Sequence, residues 1–409
     1  MIPPLPLSGT VCDVTRVMAR RTAAPSPPVL LADDDALQSF VGKLRKQSCV
    51  ALDTEAASFH RYVDRIYLLQ LSSDSETAII DPLSIKNLKP LGRLLADSSV
   101  EVVFHDADYD LRVLDRDYGF RGKRLFDTRI AAQLLGEPAI GLGPLLEKYF
   151  GVRVNKKYQR ADWSQRPLTP EMISYAATDT AYLLSLRNEL RRQLEAHDRL
   201  SWADEEFKRL ESIRWSPHSA NGNGFLRLKG AKSLPPKSLA VLRAVYEWRE
   251  KRAARLDRAP FRILGNESLS VLARAAPKTE ADLQGLSGLP AASVQRYGTE
   301  LLKAVRAGLR TPAKDYPRLE KPPRPKMNRP GMERLDRLKA LRRRRAQELG
   351  IEIGVLCPNA TLQAIVRAAP TTATELRKID DTKRWQVDAM GVPQIIELLN
   401  GKSDAAAKR

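Results

Sequence analysis

Between about residues 30 and 200, short runs of consecutive apolar residues alternate with stretches whose apolar positions recur every three or four residues. This is the pattern of an α/β layer fold. CVALDTE (49–55) predicts a buried strand that ends in acids. IYLLQLSS (66–73) and TAIIDP (77–82), separated by Asp74 and Ser75, predict antiparallel neighbours in a meander, and VEVVFHD (100–106) predicts a further strand. ADYDLRVLDRDYG (107–119) reads as a helix capped by Asp106 and stopped by Gly119. Helical spacing returns over 128–135 and 142–150, and again from Pro170 to about Ala196 as one long helix. Beyond residue 200 the strand signal fades, and from Pro235 the chain reads as helices.

The helical half repeats itself. Residues 251–283 align without gaps onto 344–376 at an offset of 93, pairing Leu256 with Leu349, Asn266 with Asn359 and the run 274–277 with 367–370. Each copy reads as a small bundle with a long helix, a turn, and a short helix capped by Asn266 or Asn359. SPHSANGNG (216–224) and the proline-rich KPPRPKMNRPG (321–331) interrupt the helical text. The expected organisation is an extension over 1–29, an α/β domain over 30–205 and a linker over 206–234. A first bundle over 235–312, a basic linker over 313–331, a second and divergent bundle over 332–402 and a tail over 403–409 complete it.

Charge sharpens this division. The 409 residues carry 68 Lys and Arg against 49 Asp and Glu. Residues 1–200 hold 27 basic and 26 acidic side chains, whereas 201–409 hold 41 and 23, so the excess of +19 sits almost wholly in the helical half. That asymmetry suggests a polyanion grip attached to an electrically balanced domain. Basic runs on the long helices suit phosphate contact: Arg249, Lys251, Arg252, Arg255 and Arg258 in the first copy and Arg342 to Arg345 in the second. Trp248 and Leu242 read as core. No apolar run is long enough to span a bilayer, which argues against a membrane protein. Three scattered cysteines, Cys12, Cys49 and Cys357, make neither a disulfide framework nor a zinc site and point to a reducing, cytoplasmic setting.

The balanced half carries the chemistry. Asp53 and Glu55, two apart on a strand, face the same way. Two buried carboxylates need a positive partner, and a divalent cation with oxygen ligands is the natural one. Asp110 falls in the first turn of the next helix, and Tyr175 and Asp179 share a helix face flanked by Ala176, Ala177 and Ala181. Asp108 reads as solvated and His105 as a packed strand-end residue. GFLRLKGAKS (224–233) imitates a phosphate-binding loop, but Ala231 parts Gly230 from Lys232 and the spacing is one too long, so ATP binding is not expected.

DTE, FHDADYDL and WSQRPLTPEMISYAATDTAYLL together resemble the three exonuclease motifs of the ribonuclease D family, within the DEDDy group of 3′-to-5′ exonucleases. The resemblance covers about 30–205, and the two repeated blocks resemble HRDC domains. It implies a ribonuclease-H-like α/β domain with a mixed sheet, followed by two all-α HRDC-like bundles. It also implies that Asp53, Glu55, Asp110 and Asp179 hold two Mg²⁺ or Mn²⁺ ions while Tyr175 orients the attacking water. Nucleoside 5′-monophosphates would then be released from the 3′ end of RNA, tRNA precursors among them, by a monomer. In the loop 154–168, Lys156, Lys157, Arg160 and Arg166 are expected to meet substrate phosphates, and Tyr158 to stack a base; Trp163 reads rather as fixing the loop. Arg252 and Arg255 are the expected contacts in the first bundle. DNA as substrate, or an RNA-binding protein with an idle site, are the alternatives. Residues 321–409 are expected to be separable from the chemistry, and the second bundle's role in RNA binding stays open.

Overall fold

The computed structural model describes residues 27–155, 157–216, 223–318, 327–380 and 382–400. Most of the expected N-terminal extension, the middle of both linkers, the tail and Lys156 lie outside the described residues.

The first half is a mixed sheet flanked by helices. In chain order it runs β1 (Val29–Leu31), α1 (Asp34–Leu44), β2 (Cys49–Ala56), β3 (Ile66–Ser72), β4 (Thr77–Ile80), α2 (Lys89–Leu95), β5 (Glu101–Phe104), α3 (Asp108–Tyr118) and β6 (Leu125–Asp127). Then follow α4 (Thr128–Leu135), α5 (Leu142–Phe150), α6 (Pro170–Ala181), α7 (Leu183–Ala196) and α8 (Leu200–Leu210). The six strands lie in the order β1-β4-β3-β2-β5-β6. The expected meander is present: β2, β3 and β4 pair antiparallel, while β5 lies parallel to β2 and β6 parallel to β5. Every residue of β3 is buried, because helices cover both faces; this is why the strands read as unbroken apolar runs.

The helix expected from Pro170 to Ala196 is two helices that meet at Tyr182 (φ −105°, ψ −5°). The break lets α6 lie across β2, β3 and β4 while α7 packs on β2, β5 and α4. Tyr182 itself stacks on Phe150 with centroids 6.4 Å apart.

The second half holds two bundles. The first comprises α9 (Pro236–Leu256), α10 (Pro260–Ile263), α11 (Asn266–Ala275), α12 (Glu280–Gln284) and α13 (Ala291–Leu309). The second comprises α14 (Arg329–Leu349), α15 (Ile353–Leu356), α16 (Asn359–Ala368), α17 (Ala373–Arg377), α18 (Arg384–Met390) and α19 (Val392–Asn400). The offset of 93 survives in three dimensions. Ala276 (φ 46°) and Ala369 (φ 45°) both end their helices in the left-handed region, and Thr279 and Thr372 both cap the helix that follows. The copies diverge where α18 and α19 replace the single long α13. Asn266 and Asn359 do not cap as expected: the caps are Gly265 and Pro358, and Asn266 Oδ1 instead accepts from Arg249 Nη1 at 2.7 Å.

That bond corrects a larger expectation. Arg249 and Arg342, read as phosphate contacts, are 4% and 8% exposed. Each donates Nη1 to a carbonyl in the turn beyond its helix, Leu264 at 3.2 Å and Cys357 at 2.6 Å. They are internal braces, again 93 residues apart.

The first bundle has its own apolar core, but the second shares one with the α/β domain. Trp202 on α8 stacks on Trp385 at 5.2 Å, and Trp385 Nε1 donates to Glu206 at 2.5 Å. Glu205 accepts the backbone N–H groups of Arg384 and Trp385, serving the start of α18 from another domain. Arg199 donates to Leu134 O at 2.8 Å and to Leu349 O at 2.5 Å. Here the backbones nearly touch: a Cβ at Gly136 would lie 1.8 Å from the Gly350 carbonyl oxygen. The second bundle is therefore not separable in the way expected, because removing it uncovers part of the α/β core.

Candidate active site

β2 carries Asp53 and Glu55 to one face near its end, where a register shift at Glu55/Ala56 turns the chain into the segment 57–65. Thr169 caps α6, with Pro170 in its first turn and the Thr169 Oγ1 accepting from Met172 N at 3.2 Å. Ala176 and Ala177, both buried, allow α6 to approach the sheet closely. One carboxylate oxygen from each of Asp53, Glu55 and Asp179 then lies within 4.8 Å of the others.

Asp110, on α3, stands beside the cluster, close enough to be repelled by Asp53, but is not one of the three carboxylates that converge within 4.8 Å. Its Oδ1 accepts from Thr54 Oγ1 at 2.5 Å. The turn before α3 is held by Asp127, a buried carboxylate that accepts from the backbone N–H groups of Asp106, Ala107, Arg129 and Ile130. Asp106 is thus not the cap expected of it. It sits in the left-handed region (φ 69°) and pairs with Arg129, while Asp127 on β6 does the holding. Asp108 is exposed and paired with Arg112, and His105 hydrogen-bonds Thr128 Oγ1 at 2.9 Å, its pKa lowered to about 4 by burial. Thr54 and Asp127 went unnoticed in the sequence. The signal for Asp127 was there, an Asp between a strand and a helix in LFDTR, but it resembles any ordinary cap.

The electrostatics are one-sided. Burial pushes the Asp53 carboxyl up to about 7. Burial, then repulsion from the neighbouring acids, pushes Glu55, Asp110 and Asp179 well above the usual carboxylate range. Among the described residues, none of the four is in a salt bridge. Cross-strand from Asp53, the fully buried Gln70 side chain has neither its oxygen nor its nitrogen hydrogen-bonded. Oxygen-only donors, mutual repulsion and an unsatisfied amide beside them fit a hard divalent cation.

Tyr175 lies one turn before Asp179, its ring packed 6.1 Å from Trp163 and 5.9 Å from Tyr158. Burial and the charges of Asp179, Glu55 and Asp53 push its phenol well above the ordinary value, so it stays protonated. Trp163 is 1% exposed and fixes the loop, as read from the sequence.

The basic residues separate. Arg166 is not free for phosphates: its guanidinium pairs with Asp81 at 2.7 Å and donates to the carbonyls of Trp163 and Tyr67, both at 2.8 Å. Burial pushes Asp81 up, but the bonds from Arg166 and the Leu83 amide outweigh it and leave its pKa lowered. Arg166 therefore anchors the loop to the end of β4. Lys157 lies over the Tyr158 ring at 5.2 Å, and Arg160 over the Phe59 ring at 5.1 Å. On α9, Arg252 lies over Tyr297 at 5.5 Å and near Glu300, whereas Arg255 is exposed without a salt bridge among the described residues.

Comparison with known proteins finds relatives of both halves of the chain. A family model described as a 3′-5′ exonuclease matches residues 28–195, and an HRDC-domain model matches 238–305 and 332–399. Ribonuclease D of Desulfotalea psychrophila is 30% identical over 340 residues, covering 83% of this chain and 90% of that protein. Ribonuclease D of Escherichia coli is 33% identical over 277 residues, covering 68% and 73%. The crystal structure of Escherichia coli RNase D, described as an exoribonuclease involved in structured RNA processing, superposes with a TM-score of 0.66 at 26% identity over 91% of this chain and 99% of that one. A protein from Bifidobacterium adolescentis shares the fold, with a TM-score of 0.74 at 22% identity.

Proposed function

Because this chain belongs to the ribonuclease D family and is a 3′-to-5′ exoribonuclease, we propose that it trims the 3′ ends of structured RNA, tRNA precursors among them, with two divalent ions held by Asp53, Glu55, Asp110 and Asp179. The observation that carries this reading is the convergence of Asp53, Glu55 and Asp179 oxygens within 4.8 Å, with no salt-bridge partner among the described residues. Mg²⁺ or Mn²⁺ bound there would supply positive charge that acidifies a water and neutralises the charge developing on the scissile phosphate.

The chain's own groups do the rest. The Tyr175 phenol, protonated and wedged between Trp163 and Tyr158, has one hydroxyl with which to hold a water in line with the phosphodiester. Thr54 and Asp127 fix where Asp110 stands. Arg166 and Asp81 keep the loop that supplies Trp163 in place. Attack of water on phosphorus breaks the bond to the 3′ oxygen of the preceding nucleotide, which leaves protonated, and a nucleoside 5′-monophosphate is released. The matched spans support the division into 30–205, 235–312 and 332–402. In this reading Lys157, Arg160, Arg252 and Arg255 line the RNA path, which rests on their charge and not on those spans. The thiols of Cys49 and Cys357 are free, which is compatible with a reducing, cytoplasmic setting.

The test uses 3′-end-labelled single strands, RNA and DNA in parallel, with Mg²⁺, Mn²⁺ or EDTA. Labelled mononucleotide is expected from RNA with either ion and from none of the EDTA reactions, and Asp179→Asn is expected to fall to background. No release under any metal overturns the reading; equal release from DNA redirects it.

A further inference from the structure

The segment that leaves β2 after Glu55 meets the first bundle at an unusual surface. Phe59 is 42% exposed and Phe261 49%, and Val63 and Leu256 on the same two segments are also in water. Large apolar side chains grouped in this way mark a binding surface more often than a scattered few do. The two phenylalanine rings meet edge to face, with centroids 5.9 Å apart and planes at 75°.

They are held there by polar bonds rather than by burial. Arg262 Nε donates to Phe59 O at 2.5 Å, and its Nη2 donates to His60 Nδ1 at 3.2 Å. His60 Nε2 in turn donates to Arg160 O at 2.9 Å, and Ala259 N donates to His60 O at 3.2 Å. Asp257 accepts from Tyr62 N at 3.2 Å and pairs with Arg61. Two rings from two domains are thus fixed in position yet left about half exposed, with the Arg160 guanidinium above one of them. Fixed aromatic rings beside a cation that has no salt bridge among the described residues are how single-stranded nucleic acid is held without regard to sequence.

The place fits as well. Phe59 lies four positions beyond Glu55, a reach of at most about 14 Å. That is a span of about four stacked nucleotides at 3.4 Å each.

We propose that Phe59 and Phe261 form a stacking clasp for an unpaired base within about four nucleotides of the RNA 3′ end, flanked by Arg160. The clasp rests on the exoribonuclease reading and deepens it. It measures tail length: once trimming brings a stem too close for an unpaired base to reach the rings, the grip is lost and hydrolysis slows.

The experiment compares kcat/KM on 5′-labelled oligoadenylates of increasing length, each also made with one abasic nucleotide at successive positions from the 3′ end. One abasic position near the end is expected to lower kcat/KM by about 5- to 100-fold, the range of one base–aromatic stack. Phe59→Ala is expected to cause a similar loss, larger on the octamer than on the dinucleotide, and to abolish sensitivity to that abasic site. Phe59→Trp is expected to restore both. In a separate binding arm with EDTA, the fluorescence of Phe59→Trp is expected to be quenched by oligoadenylate beyond the change seen with the unsubstituted protein. Losses that add independently, or an equal Phe59→Ala loss at every length, overturn the clasp while leaving the exoribonuclease reading intact. If no RNA is hydrolysed, the quenching arm alone decides, its presence supporting the clasp and its absence overturning it.

Discussion

Without metal, burial raises the Asp53 carboxyl from its ordinary 3.8 to about 7, so the native state keeps a proton that the unfolded chain has already released. Stability must then fall as pH rises through that window and stay lowered above it. In EDTA, the melting temperature is expected to drop between about pH 4 and pH 7, and millimolar Mg²⁺ is expected to restore it at neutral pH by supplying the missing charge. Calorimetry across pH, with and without Mg²⁺, checks this. Asp53→Asn is expected to raise the metal-free melting temperature at pH 8 by a few degrees while abolishing hydrolysis. Tyr175→Phe keeps the packing on Trp163 but loses the hydroxyl, and is expected to lower kcat by about 10² with KM little changed, measured by single-turnover and steady-state kinetics. The convergence of Asp53, Glu55 and Asp179 was legible in the sequence because strand and helix periodicity put each carboxylate on a definite face, while their grouping with Asp110 and Tyr175 as one site came with the resemblance to the exonuclease motifs. Thr54 and Asp127 were not, since what they hold comes from elsewhere in the chain.

At the level of elements, the long helices α9 and α14 explain both a success and a miss. Their shared ancestry is plain in the 93-residue offset, and the braces Arg249 and Arg342 obey it. Yet a run of basic residues looks uniform in sequence, and its charge alone assigns both arginines to phosphate contact. The signal that distinguishes Arg249 was present: Leu242, Val245, Arg249 and Ala253 follow one helix stripe, and all four are buried. Arg249→Met or Arg342→Met is expected to cost about 1–3 kcal/mol through an orphaned carbonyl, without altering the salt dependence of RNA binding. Arg255→Ala is expected to do the reverse, leaving denaturation midpoints alone while lowering the slope of log affinity against log salt by about one.

Over the whole molecule, the excess of positive charge suggested a detachable grip, but the second bundle is bound to the α/β domain through a common core. The seam left no trace in local pattern, since Glu205 and Glu206 find their partners far along the chain, at 383–385. Trp385→Ala, which empties a site that is 4% exposed, is expected to cost about 3–5 kcal/mol in chemical denaturation of the full chain. Removal of everything beyond residue 326 is expected to lower the melting temperature of the remaining α/β domain as well as RNA affinity, so the two losses will not separate.

The same seam sets an order of events during synthesis. Glu206 leaves the ribosome 179 residues ahead of the tryptophan that it holds, an interval of roughly 10–35 s at ordinary elongation rates. For that time Trp202 and its helix face lack their cover, and the nascent nuclease domain presents an adhesive patch. A message broken before the codon for Trp385 leaves the patch open and the product more exposed to proteolysis. Chains that extend through Trp385 and α19 close it.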